Sequence, residues 1–171
     1  DGVLDEGEKY SAEDDYGHGD PVLAVADGEV VFVIDDQVQN ADELTRRDGE
    51  SIEDARRRVT SNQFRRFAEN FRAAAAGNMI VLRHEKDGAV EYSAYGHLKE
   101  GGVAVKTGDR VRQGDVIGAV GNTGDSTLTH LHFQLNASPN AFFTRSLPVT
   151  FSNAEPRYMG AEPGVFMIYE E

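Results

Sequence analysis

The sequence predicts a mainly β fold, an antiparallel sheet or open barrel-like sandwich, with a helical insertion at about 41–76. Three observations predict it. Short apolar runs alternate with Gly-, Asp- and Asn-rich turns through most of the chain, the pattern of a sheet built from hairpins. Between residues 41 and 76 the apolar positions change to three- and four-residue steps, which is helical periodicity. The length, 171 residues, suits one domain, residues 1–171, with a core large enough to fold without staples.

Taken in order, residues 1–20 carry eight acids and one base, Lys9. Val22 to Ile34 holds two apolar runs around Asp27-Gly28, a hairpin signal. In the insertion, Ile52, Ala55 and Val59 and then Phe64, Phe67, Phe71 and Ala75 mark one helical stripe. Ser51 is its expected N-cap, with Asp54 three residues on as a short version of a capping box, and Gly77 its expected stop. The arginines Arg56, Arg57, Arg58, Arg65 and Arg66 read as a solvated face paired with local acids. Met79–His84 and Val90–His97 flank Lys86-Asp87-Gly88 as a second hairpin, with His84 expected at the surface. Val103–Val105, Val111 and Val116–Val120 read as short strands separated by Gly-Asp turns. Leu131, Phe133 and Leu135 alternate with His130, His132 and Gln134. A tail at 152–171 ends in the apolar run Val165–Tyr169, expected to pack as an extra strand.

Composition excludes several functions. A formal net charge of -13 argues against nucleic acid or an anionic membrane as partner, since both are bound by clustered Lys and Arg. No apolar run approaches the roughly 18 residues of a membrane span. The absence of Cys removes disulfides, thiolate zinc sites and a Cys nucleophile. The chain begins at Asp1 with neither Met nor signal peptide and reads as a processed piece.

The histidines carry the chemistry. Residues two apart on a strand share a face, so His130 and His132 are expected side by side, about 6–7 Å apart at Cα. Neutral imidazole is the commonest ligand of first-row metals. His97 ends a strand beside Gly96 and reads, on its own, first as a surface residue in a turn and second as a residue exposed in a groove. His18, in a Gly-flanked turn with Asp20 two residues on, reads first as turn chemistry and second as a ligand.

Several of these motifs occur together and in order. Tyr95-Gly96-His97-Leu98, the stretch Val103 to Gly118, Gly121-Asn122-Thr123-Gly124 and His130-Leu131-His132-Phe133 resemble the lysostaphin-type (LytM/M23) zinc metallopeptidases. Asp20 to Val31 resembles the segment that opens their sheet. The resemblance implies a LytM-type fold over 20–34 and 78–151, and a Zn2+-dependent endopeptidase acting on peptidoglycan peptides in the bacterial cell envelope. It implies a metal-ligand role for His132, and catalytic roles for His97 and His130 beside the attacking water and the scissile carbonyl. The insertion, bordering those strands, is expected to serve as a lid or partner surface.

The family also has a His-x-x-x-Asp pair before the Pro-Val strand. Counting back from Pro21-Val22 places Lys9 and Glu13 there, and a protonated lysine cannot ligate zinc. Three explanations stand open: the ligands lie at or upstream of Asp1, His18 or Asp20 replaces them, or the module is degenerate and binds cell-wall partners or activates another hydrolase. A different reading is a lipoyl or biotin carrier barrel, whose Val-x-x-Gly-Asp pattern is similar. Lys86 lacks the neighbours such a carrier needs, and a carrier has no use for His-x-His.

Overall fold

The computed structural model describes residues 15–39, 46–141, 143–150, 157–158 and 166–167. Its centre is a six-stranded antiparallel sheet in the order β5-β2-β3-β4-β7-β8. These strands are β2 (Gly28–Ile34), β3 (Asn78–Lys86), β4 (Ala89–Leu98), β5 (Arg110–Val111), β7 (His132–Asn136) and β8 (Ser146–Leu147). A second, two-stranded ladder joins β1 (Pro21–Leu23) to β6 (Val116–Ala119). Of the tail, β9 (Arg157–Tyr158) and β10 (Phe166–Met167) pair with each other.

The second hairpin forms as its sequence predicts. Asp87 at φ 52° and Gly88 at φ 80° supply the left-handed pair that a tight two-residue connection requires. Strand β3 is covered on both faces, so its run is apolar at consecutive positions rather than alternating. Ile80 and Leu82 join Val30, Tyr95, Leu98 and Ile117 in one core cluster. Met79 and Val81 join Ala76, Ala94 and Ala141 in another, on the opposite side.

Three expectations need correction. Asp27-Gly28 does not turn a hairpin: β1 pairs with β6, while β2 pairs with β3 and β5. Gly28 is needed for close approach instead, since a Cβ there would lie 2.8 Å from Arg83 O and 2.9 Å from His84 Nδ1. His84 is not a surface residue; it is buried, with Nδ1 2.8 Å from Asp27 O and Nε2 2.7 Å from Ser93 Oγ. Residues 103–105 form no strand. Ala104 N–H bonds to Ile117 O, and Val103 and Val105 pack against the first core cluster.

Among the described residues, the insertion between β2 and β3 contains two helices, α1 (Ile52–Glu69) and α2 (Phe71–Ala76). Ser51 Oγ accepts the Asp54 N–H at 3.1 Å and donates to the Asp54 carboxylate at 2.7 Å, closing the short capping box. Asn70 separates the helices and caps the second through its Oδ1 on Ala73 N–H. Gly77 ends it at φ 64°. On α1 the apolar stripe is only partly covered: Ala55 is buried, Val59 and Phe67 are half-buried, and Phe64 is 74% exposed. The insertion meets the body through polar and aromatic contacts, Gln63 to Asp125, Arg72 to Asn140 and Phe71 against Phe143.

Candidate active site

Sheet register brings the site together. Strands β4 and β7 pair with Gly96 opposite His132, so the end of one strand lies beside the start of the other. The missing side chain at Gly96 makes room, since a Cβ there would sit 3.5 Å from the His132 Cβ and 3.3 Å from Ala76 O. His97, one residue on, adopts φ 59°, an uncommon left-handed conformation for a residue with a side chain. Backbone outliers of this kind cost on the order of 1–3 kcal/mol and persist where surrounding contacts hold them.

The holding contact comes from the Gly121–Ser126 loop. His97 Nδ1 lies 2.8 Å from Thr123 O. Thr123 is itself wholly buried, its Oγ1 accepting Asn78 N–H at 2.9 Å and donating to Leu98 O at 2.7 Å. This packing demands glycine at Gly124, where φ is 80° and a Cβ would lie 2.3 Å from Gly77 N. A peptide carbonyl only accepts, so His97 Nδ1 carries the proton and Nε2 the lone pair. Burial pushes His97 down to a pKa of about 4, and the nearby His130 and His132 add to the lowering against the opposing bond to Thr123. The residue is neutral at physiological pH.

His130 precedes β7 rather than lying on it, which corrects the expectation of two histidines side by side on one strand. Its Nδ1 is 2.8 Å from Leu128 O and 3.3 Å from Ser126 Oγ. The Ser126 hydroxyl donates to the same Leu128 carbonyl at 2.8 Å, so its oxygen is left to accept from the ring. His130 is therefore also the Nδ1–H tautomer. The His97 ring centroid lies 4.7 Å from that of His130 and 5.8 Å from that of His132. All three expected site histidines thus converge, and His97 does so buried rather than in an exposed groove.

The other candidates do not join them on the same footing. His18 stands in a turn with Nε2 3.2 Å from Gln39 Oε1, as turn chemistry predicts. Asp1, Lys9 and Glu13 lie outside the described residues. Among the described residues, no three His, Asp or Glu side chains are arranged to enclose a metal. The donor chemistry at the histidines still fits zinc: imidazoles with one nitrogen bonded to an oxygen and the other carrying a lone pair. His132 fits as one ligand of the three that a catalytic zinc usually takes from its protein.

Sequence reasoning missed Gln134, Thr123 and Asp15. Gln134 Oε1 lies 2.7 Å from His132 Nε2, and Asp15 Oδ2 accepts Thr129 N–H at 2.9 Å beside His130. Gln134 had a signal, its two-residue step from His132 on a strand. Thr123 stood inside the Gly121–Gly124 motif, but its contact to His97 spans 26 residues and had no local signal; Asp15, 114 residues from Thr129, had none.

Comparison with known proteins agrees with the resemblance in sequence. Residues 64–142 match the model of peptidase family M23. Glycyl-glycine endopeptidase ALE-1 of Staphylococcus capitis is 44% identical over 75 residues, covering 44% of this chain and 20% of that protein. Peptidoglycan DD-endopeptidase ShyC of Vibrio cholerae is 41% identical over 58 residues, covering 34% of this chain and 12% of that protein. The chain therefore spans a fifth or less of the length of these relatives. Among solved structures, the lysostaphin catalytic domain of Staphylococcus simulans aligns at 27% identity and TM-score 0.46, covering 77% of this chain and 70% of that one.

Proposed function

We propose, from the resemblance to peptidase family M23 and the convergence of three histidines, that this chain is the peptidase unit of a zinc-dependent endopeptidase cleaving peptidoglycan peptides. One observation carries the reading: His97, His130 and His132 meet at the adjoining ends of β4 and β7, with His97 held neutral and buried. Relatives named as a glycyl-glycine endopeptidase and a peptidoglycan DD-endopeptidase support a peptidoglycan substrate in the bacterial envelope.

In this reading His132 is one of the metal ligands. Zinc, when bound, supplies a Lewis acid that polarises a peptide carbonyl and acidifies water. The residues of the chain manage protons and orientation. His130, exposed and with its lone pair on Nε2, takes the proton of the attacking water and returns it to the leaving amine. His97 is too weak a base for that task at neutral pH. Its Nε2 accepts a hydrogen bond from the water and fixes its approach. Thr123 O and Leu128 O keep both rings in the tautomer these tasks require.

The test is metal analysis together with hydrolysis of glycyl-glycine-linked and DD-linked peptides. The expected result is about one zinc per chain, lost with activity in His132→Ala. His97→Ala and His130→Ala should both retain zinc and lose turnover, His130→Ala by about 100- to 10,000-fold, the range for a positioned proton-transfer group. A metal-free, folded and inactive chain that still binds cell walls would favour the second reading, a degenerate module. The gap in the described ligand set is the observation on that side.

A further inference from the structure

The described part of the active site contains a polar relay along one face of β7, built from His132, Gln134 and Asn136. Its geometry points to a role that neither the family resemblance nor the histidine cluster assigns. We propose that Gln134 is a positioning residue that holds His132 as the Nε2–H tautomer, placing the ring's lone pair on Nδ1 for the metal. The second half of this proposal rests on the reading of His132 as a ligand.

A backbone carbonyl beside the relay, Ala141 O, orients the Gln134 amide. Ala141 O is a backbone carbonyl and can only accept. It lies 2.6 Å from the Gln134 Nε2, which also lies 2.8 Å from Asn136 Oδ1. Both protons of the Gln134 amide are committed by these two bonds. Turning the amide over would set its oxygen against the Ala141 carbonyl, acceptor against acceptor, and lose a hydrogen bond in a half-buried place. The amide orientation is therefore fixed, and Oε1 must face His132. An amide oxygen also only accepts, so the His132 Nε2 at 2.7 Å must donate. A neutral imidazole has one N–H, which leaves the lone pair on Nδ1.

The relay is mechanically stiff. Asn136 is wholly buried, and β7 is paired on both sides, with β4 and β8. The contrast with the neighbouring rings sharpens the assignment. His97 and His130 have Nδ1 bonded to backbone carbonyls and carry their lone pairs on Nε2. Within one cluster, two rings have one tautomer and the third has the other. Each is set by a different partner, so the split follows from local wiring rather than from a shared environment. Acceptor groups behind a metal-binding histidine typically matter by about 10- to 100-fold in metal affinity.

The experiment uses long-range 1H–15N NMR of the imidazoles in the metal-free chain, and zinc titration against a competing chelator. The unaltered chain should show His132 protonated on Nε2 and His97 protonated on Nδ1. In Gln134→Leu, His132 should become a mixture of both tautomers while His97 stays as it was. Its zinc dissociation constant should rise about 10- to 100-fold. An Nδ1–H tautomer at His132 in the unaltered chain overturns the proposal whether or not the variant folds. So does a folded Gln134→Leu with the same His132 tautomer and the same zinc affinity. Failure of the unaltered chain to take up zinc would overturn the metallopeptidase reading instead, and the NMR result would still decide what Gln134 does.

Discussion

Strand β3 and helix α1 each carry a regular pattern of apolar residues, and they use it differently. In β3, Ile80, Val81 and Leu82 are completely buried. In α1, Ala55 is buried while Phe64 is 74% and Ile52 45% exposed. The sheet is held by packing of consecutive residues into two core clusters. The helix is held by its cap, by ion pairs such as Arg57–Glu53 and Arg58–Glu50, and by contacts to loops. Those loops are the ones that border the histidines. Asp125 receives Gln63 and donates its own N–H to Ala75 O, two residues beyond the Thr123 carbonyl on which His97 rests. Helix α1 is thus coupled to the loop that carries the site, whereas α2 enters the second core cluster through Ala76.

If this comparison is right, equivalent truncations in the two regions should differ greatly. The largest effect is expected for Leu82→Ala in β3. The residue is completely buried, and such truncations cost about 2–5 kcal/mol. Denaturant unfolding would measure it, and amides of the whole sheet should lose protection together. A middle-sized effect is expected for Ser51→Ala, which removes the cap of α1 and costs about 1 kcal/mol. Hydrogen exchange should show the loss concentrated in residues 52–69, with β3 protection retained. Equal loss in both places would break the distinction between the regions.

A third prediction uses acid. Hydrogen bonds from the Arg58 side chain, and then from Arg47 N–H, hold the Glu50 carboxyl at about 2, below its usual 4.5. A depressed carboxylate gives its stabilisation in full above the unfolded value and loses it as pH falls through the folded one. The contribution of this pair is therefore complete above about pH 4.5 and disappears towards pH 2. Helix exchange in residues 52–69 should show that acid loss, and Glu50→Gln should show less of it. A matching acid loss confined to β3 would contradict the assignment.

How much of this was legible in the sequence depended on how local each signal was. The Asp87-Gly88 turn, the Ser51 cap and the Gly77 stop each involve partners within a few residues, and all three form. The histidine convergence was legible through ordered motifs. Asp27-Gly28 misled because a glycine required for a 2.8 Å approach to Arg83 O looks the same as one required by a turn. His84 misled because the acceptor that makes its burial affordable, Asp27 O, is 57 residues away. Periodicity on α1 had a similar limit. It gave the helix and its common face, but a stripe says which residues point together, not whether anything covers them.

That limit defines the smallest expected effect. Phe64 lies on the apolar stripe of α1 at 74% exposure, so little apolar area is removed from water around its ring. Phe64→Ala should change stability by less than about 0.5 kcal/mol, the usual range for surface substitutions. Alanine's better helix propensity works in the same direction, adding a few tenths of a kcal/mol of stability at a solvated helix position. The expected outcome is therefore a melting curve unchanged or slightly raised, beside the large loss in Leu82→Ala. A measured loss above about 1 kcal/mol would mean that the ring is packed in solution, since an exposed ring has no buried area to forfeit. In that case α1 would be stabilised as β3 is, by burial, and its coupling to Asp125 and the histidine loop would no longer set the insertion apart from the sheet.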